Sequence, residues 1–350
     1  MYVGLVLPGN IWFAPYVRIY TRILDTEKVK YAIVSWNRDG GDEQEGFQYQ
    51  ERQGGGSAGF VAYLRYIRFV KRVVRSEAFD RLIVFGPQMT CLLNLFLLKY
   101  KDKFVIDYRD LSIEQRVGFK HVYAFFLRKS FANVISSPGF KRVLPNRDYL
   151  ISHNFDSDRV RQLLGKTSES SFNTSNGIDV LTIGGIRDYS SNIEIVKSLA
   201  NKDGVKCRFV GKGIASDRIE SFCRDNSIYN VSFHGYYPKS QEPEFIKECT
   251  FLNIFYPRVI THDTAMSNRF YNSLLYKRPM IVTRGTTQGE YAEKYGVGLA
   301  IDNGDALKER LVEFTQKDFQ EYSDKCDGLL NSFLKEEELF VESIKRFVRF

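Results

Sequence analysis

What most constrains this chain is alternation. Short β-branched runs take turns with helix-length amphipathic segments along nearly all of its 350 residues. In the first half these runs predict strands over Tyr2–Leu7, Tyr31–Ser35, Arg81–Phe85, Phe104–Asp107, Asn133–Ser136 and Tyr149–Ser152. Helices are expected over Gly59–Arg75, Gln88–Lys99 and Lys120–Lys129. A polar gap at Lys166–Gly177 interrupts the pattern, which then restarts. Strands follow over Asp179–Ile183, Lys206–Val210, Asn230–Phe233, Phe251–Phe255, Pro279–Val282 and Gly298–Ile301. Alternation in two blocks predicts an α/β protein with two doubly wound parallel sheets facing across a cleft. The expected domains are 1–157 and 158–317. Residues 318–350 read as a helix with no following strand, placed to cross back to the first domain.

Composition removes several classes. With 43% hydrophobic and 26% charged residues, the chain is neither disordered nor fibrous. Apolar runs such as Leu95–Leu98 fall far short of the roughly 18 residues a membrane span needs. The start shows no leader pattern, and the first strand begins almost at once. The five cysteines are widely spaced and form no CxxC pair, which argues for a reducing cytoplasm over a disulfide or zinc framework. Hydrolase, metalloprotease and Walker motifs are missing, and His121, His153, His234 and His262 are isolated in sequence. No metal set is expected. Gly211-Lys212-Gly213 and Pro8-Gly9-Asn10 are the nearest approaches to a nicotinamide fingerprint, and neither completes it. The Gly-rich stretch Asn37–Gly56 reads as a surface loop.

Charge is distributed unevenly. Residues 1–157 hold 23 Lys and Arg against 15 Asp and Glu, so the whole net charge of +8 sits in the first half. Arg65, Arg68, Lys71, Arg72 and Arg75 lie along one side of the helix expected at Gly59–Arg75. Phe60, Leu64, Ile67, Val70 and Val74 fall roughly opposite, with Tyr66 and Phe69 on the flank. Two readings stay open: a solvated basic face, or contact with an anionic membrane surface. Nucleic acid is not expected as a partner, since no module for it is visible.

Two segments of the second half suit phosphate. Gly184-Gly185-Ile186-Arg187 follows a strand and precedes a helix, so backbone can approach a ligand while Arg187 offers a planar fork. Ser267 and Asn268 are good helix-starting residues, whose amides would point at an anion. A tight turn and an unliganded helix cap are the plain alternatives.

Six segments, in order, carry a resemblance. Phe104-Val105-Ile106-Asp107-Tyr108-Arg109-Asp110-Leu111 and Ile151-Ser152-His153-Asn154-Phe155-Asp156 lie in the first half. Val180-Leu181-Thr182-Ile183-Gly184-Gly185, Arg208-Phe209-Val210-Gly211-Lys212-Gly213 and Val231-Ser232-Phe233-His234-Gly235-Tyr236 lie in the second. Ser267-Asn268-Arg269-Phe270-Tyr271-Asn272 completes the set, with Lys277-Arg278-Pro279-Met280-Ile281-Val282 behind it. Together they resemble GT-B glycosyltransferases of the retaining family 4 in bacterial surface-polysaccharide synthesis. The resemblance implies two Rossmann-like domains, the first binding acceptor and the second the nucleotide-sugar donor.

It implies Gly9, Asn10, Gly185, Arg187, Lys212, His234, Asp263, Ser267, Asn268, Arg269 and Asn272 at the donor, and Asp110, Arg109 and Arg187 in catalysis. The sequence departs from the family at several of these positions. Asn272 stands where the second of two Glu usually holds the donor ribose, and Asp263 or Thr264 stands near the first. No Lys follows Arg187, leaving Lys212 or Arg269 to serve. Arg109 occupies a common His position. The implied enzyme needs no cofactor or metal, works on a lipid-linked saccharide, and sits peripherally at the cytoplasmic face of the plasma membrane. A nucleotide-sugar 2-epimerase and a degenerate nucleotide- or partner-binding protein are the alternatives.

Overall fold

The β-branched runs become strands because parallel sheets covered by helices on both faces bury them completely. The computed structural model describes all residues except 42–44, 52–58, 167–170 and 350. The glycine run expected in a loop at 54–56 lies outside the described residues, as does part of the polar gap. The chain divides into two compact units. One is Met1–His153 with the last stretch from Lys335, and the other is Asn154–Leu334.

The first unit holds β1 (Tyr2–Val6), β2 (Lys30–Asn37), β3 (Phe47–Gln50), β4 (Arg81–Phe85), β5 (Phe104–Tyr108), β6 (Ala132–Ile135) and β7 (Leu150–Ile151). Its helices are α1 (Val17–Thr26), α2 (Phe60–Ser76), α3 (Pro87–Leu93) and α4 (Phe119–Leu127). The sheet runs β3-β2-β1-β4-β5-β6-β7 with every pairing parallel. Strand order reverses between β1 and β4. One strand corrects the sequence reading: β3 lies inside the expected loop, where Phe47–Gln50 pairs with Val34–Asn37 at the sheet edge. The expected helix Gln88–Lys99 is also shorter, because the chain tightens into a 3-10 stretch from Asn94 to Tyr100.

The second unit begins with α5 (Ser157–Leu163), whose start is capped by the Asp156 carboxylate accepting from the amides of Asp158 and Arg159. Its strands are β8 (Ile178–Ile183), β9 (Val205–Val210), β10 (Val231–His234), β11 (Phe251–Ile254), β12 (Met280–Thr283) and β13 (Gly298–Ile301). Its helices are α6 (Tyr189–Leu199), α7 (Ser216–Asp225), α8 (Glu242–Glu248), α9 (Ile260–Thr264), α10 (Asn268–Leu275), α11 (Thr287–Tyr295) and α12 (Leu307–Thr315). The parallel order β10-β9-β8-β11-β12-β13 places its reversal between β8 and β11. Lys277 and Arg278 are buried, pairing with Asp327 and with the carbonyls of Ile246 and Lys247 respectively. These bonds fix the turn between α10 and β12.

The last helix, α13 (Phe319–Arg349), serves both cores. Tyr322, Leu329, Leu330 and Phe333 join the second unit's cluster, while Phe340, Ile344 and Phe347 pack with Tyr20 and Leu24 in the first.

Candidate functional site

In an open α/β sheet, ligands bind beyond the carboxyl ends of the strands where strand order reverses. In the second unit that point carries a cavity of about 390 Å³. Ile183, Gly184 and Gly185 line it from the end of β8, and Tyr256 from just past β11. Arg187, Asp188, Tyr237, Lys239, Glu242, His262, Ala265, Ser267, Asn268, Arg269, Asn272 and Gln288 complete the lining. The reversal point is braced from beneath by buried Asn253. Its amide donates to Thr182 Oγ1 at 2.9 Å and Asn192 Oδ1 at 3.3 Å, and its oxygen accepts from the Phe255 amide at 3.1 Å.

Three cations, Arg187, Lys239 and Arg269, line the cavity together with the carboxylates of Asp188 and Glu242. Arg269 donates to the Gly185 carbonyl at 3.2 Å and the Asn253 carbonyl at 3.4 Å, with its guanidinium 5.8 Å from the Tyr256 ring centroid. Arg187 is exposed, and among the described residues nothing engages its guanidinium. One arginine is thus held in place and the other is available. Such a pair suits a diphosphate, which spreads its charge over two groups.

Of the residues expected at a donor, Gly185, Arg187, Ser267, Asn268, Arg269 and Asn272 meet here. The others do not line the cavity. Lys212 pairs with Asp217 Oδ1 at 3.0 Å, and the His234 ring packs tilted against Phe245 with centroids 5.0 Å apart. Asp263 accepts from Arg258 Nε at 2.7 Å and Nη2 at 3.1 Å. The glycines beside Lys212 have a packing reason. A Cβ at Gly211 would fall 2.2 Å from the Gly184 carbonyl oxygen, and one at Gly213 would fall 2.1 Å from that of Ile186. They let the loop after β9 press on the loop after β8.

Ser267 does start α10, but its amide and hydroxyl both donate to Gln288 Oε1. Asn268 Oδ1 accepts from Asn154 Nδ2 at 2.7 Å. Tyr237, Lys239, Glu242, Tyr256, His262 and Gln288 were not expected from sequence. Glu242-Pro243 is a helix-start signal, but nothing local in it points to a cavity. Burial, followed by the Glu242 carboxylate beside it, raises the Tyr237 pKa well above the tyrosine norm.

Gly9, Asn10, Arg109 and Asp110 belong to the first unit. Asn10 is buried, donating to Asn37 Oδ1 at 3.1 Å and accepting from the Arg38 amide at 3.0 Å, so its side chain joins the turns after β1 and β2. Arg109 is also buried. It grips Asp107 with Nε–Oδ1 at 2.6 Å and Nη2–Oδ2 at 2.8 Å, and donates to the Ser152 carbonyl and hydroxyl, each at 3.0 Å. Burial alone would lower its pKa, but Asp107 outweighs burial and raises it. The same carboxylate accepts from Tyr20 Oη at 2.5 Å. Asp110, next along the chain, is exposed at the end of β5; partial desolvation raises its pKa and Arg109 opposes the rise.

The basic helix α2 buries Ala62, Tyr66, Ile67, Val70, Val73 and Val74. Phe60 and Leu64, expected on that inner side, are exposed, Phe60 at 64%. Tyr66, expected on the flank, is fully buried and donates to the Leu7 carbonyl at 2.6 Å. Arg65 is neutralised by Glu51. Arg68, Arg72 and Arg75 are exposed and Lys71 is half-buried. Exposed Trp12 and Phe13 stack at 3.6 Å in the loop after β1. Among the described residues, no helix is long and apolar enough to cross a membrane.

No protein-family model matches this chain, and no curated protein is similar to it at significance. Solved structures do match. A glycosyltransferase from Rickettsia africae aligns with a TM-score of 0.69 at 12% identity, over 99% of this chain and 98% of that one. HepE of Anabaena in complex with UDP gives 0.66 at 13%, over 97% and 98%. Sucrose-phosphate synthase from Thermosynechococcus elongatus gives 0.66 at 11%, over 98% of each chain. The chain has the GT-B fold. Within GT-B architecture, the cavity described above lies in the C-terminal Rossmann-like unit.

Proposed function

We propose that the protein is a retaining glycosyltransferase that moves a sugar from a nucleotide-sugar donor to a lipid-linked saccharide in surface polysaccharide assembly. One observation carries the reading: the cavity at the reversal point of the second sheet holds two arginines, one of them unengaged among the described residues. The UDP bound to HepE supports a nucleotide ligand for the same fold.

The chemistry asks for little covalent machinery. The acceptor hydroxyl attacks the anomeric carbon on the face from which the diphosphate departs. The carbon–oxygen bond to phosphate breaks, and the hydroxyl proton passes to the leaving phosphate oxygen. Arg187 and Arg269 stabilise the charge that collects on that diphosphate, and Asn272 hydrogen-bonds donor hydroxyls. Asp110 orients the acceptor. Arg109 acts one step back, through its grip on Asp107. Exposed Phe60, Val61 and Leu64 beside Arg68, Arg72 and Arg75 suit peripheral binding at the anionic cytoplasmic face of the plasma membrane.

A thermal-shift panel of UDP-, GDP-, dTDP- and CMP-sugars tests the donor, followed by donor turnover without acceptor. A melting shift with one nucleotide and slow release of free sugar is the expected result. Isomerised donor would make the protein an epimerase, and binding with no turnover would make it a binding protein.

A further inference from the structure

We propose that Glu242 holds a pair of neighbouring hydroxyls of the bound nucleotide sugar, and so decides which ligands the cavity accepts. This rests on the reading above that the cavity takes a nucleotide sugar.

The carboxylate is placed unusually for a residue at a helix start. Glu242 opens α8, where a negative charge favours the helix dipole from an exposed position. Here the residue is only 8% exposed. Its Oε1 accepts from Asn272 Nδ2 at 2.9 Å, on a different helix. Its Oε2 accepts from Tyr237 Oη at 2.8 Å and Lys239 Nζ at 2.5 Å. Burying a carboxylate is costly, and a helix start alone would not demand it.

The surroundings indicate what the carboxylate is for. It lines the large cavity with Arg187, Arg269 and Lys239, and also a smaller cavity of about 210 Å³ walled by Asn154, Tyr271 and Tyr276. An anion among cations repels phosphate. It therefore serves a part of the ligand that brings donors, and two adjacent hydroxyls match its two oxygens. A carboxylate accepts about four hydrogen bonds. Asn272 and Tyr237 orient this one from the protein side. Lys239, whose side chain is 75% exposed, is the partner a ligand hydroxyl displaces. The lysine then becomes free to meet phosphate.

Neighbouring hydroxyls occur on the nucleoside ribose and on the transferred sugar, and calorimetry separates them. UDP and GDP are titrated against their 2′-deoxy forms, and against UDP-glucose and GDP-mannose, into wild type, Glu242→Gln and Arg187→Ala. If ribose is the partner, wild type prefers the ribo form by on the order of tenfold or more, and Glu242→Gln brings the two within about twofold. If the transferred sugar is the partner, ribo and deoxy forms bind alike, and Glu242→Gln weakens only the nucleotide sugars. Arg187→Ala lowers every affinity and keeps the ratios. Ratios unmoved by Glu242→Gln, with Arg187→Ala still weakening binding, overturn the role of Glu242 and leave the nucleotide site standing. No binding of any nucleotide to wild type overturns both. Should Glu242→Gln fail to fold, Glu242→Asp, which withdraws the carboxylate by one methylene, is read by the same ratios.

Discussion

Ser267 gives both its amide and its hydroxyl to one oxygen, Gln288 Oε1, at 3.0 and 2.8 Å. Both Ser267 donors, at the cap of α10, are therefore met by a neutral carbonyl reaching from α11, 21 residues away. Because Gln288 also lines the cavity, its charge matters to an anionic ligand. Gln288→Glu keeps the acceptor but sets a negative charge beside the diphosphate site. It should cut nucleoside diphosphate affinity by roughly tenfold at low salt, with the loss shrinking as salt screens it. Unchanged affinity by calorimetry would place the phosphates away from α10.

Arg109 is predicted to matter for stability before chemistry. Removing it leaves Asp107, fully buried, without its charge partner. Arg109→Ala should cost about 3–5 kcal/mol, the range for breaking a buried pair. Denaturant unfolding checks this. A soluble, fully stable Arg109→Ala protein with no transferase activity would return the residue to a direct catalytic role.

Much of the fold was legible because parallel strands buried on both faces leave continuous β-branched runs, and Arg81–Phe85 and Gly298–Ile301 are read to the residue. Phe47–Gln50 escaped because an edge strand of alternating polar residues carries no such run. In the site, Arg187, Arg269 and Asn272 were readable from short segments at strand ends and helix starts. Glu242 and Gln288 were not, since each reaches its partner across the topology, Glu242 touching Asn272 from 30 residues away. Arg109 was expected in catalysis, and its bonds to Ser152, 43 residues on, were out of reach of local sequence for a like reason.

The surface of α2 makes a prediction about salt. Arg68, Lys71, Arg72 and Arg75 are the bases to neutralise, since Arg65 already pairs with Glu51. Vesicles with anionic lipid should sediment the protein at low salt and release much of it at high salt. The fourfold Gln variant should lose most of that binding yet keep activity on a short soluble acceptor. Phe60→Ser with Leu64→Ser should weaken the salt-resistant remainder. Wild type that ignores anionic vesicles would make α2 an ordinary solvated helix.

If the protein is the proposed transferase, the cavity between the ends of β8 and β11 binds the donor diphosphate through Arg187 and Arg269. Calorimetric titration of wild type, Arg187→Ala and Arg269→Ala with the nucleoside diphosphate that best raises the melting temperature tests it most directly. Each substitution removes a charge-assisted contact expected to contribute about 1.5–3 kcal/mol, so affinity should fall on the order of tenfold to a hundredfold, without loss of fold. Both variants binding as tightly as wild type would mean that this cavity is not the diphosphate site.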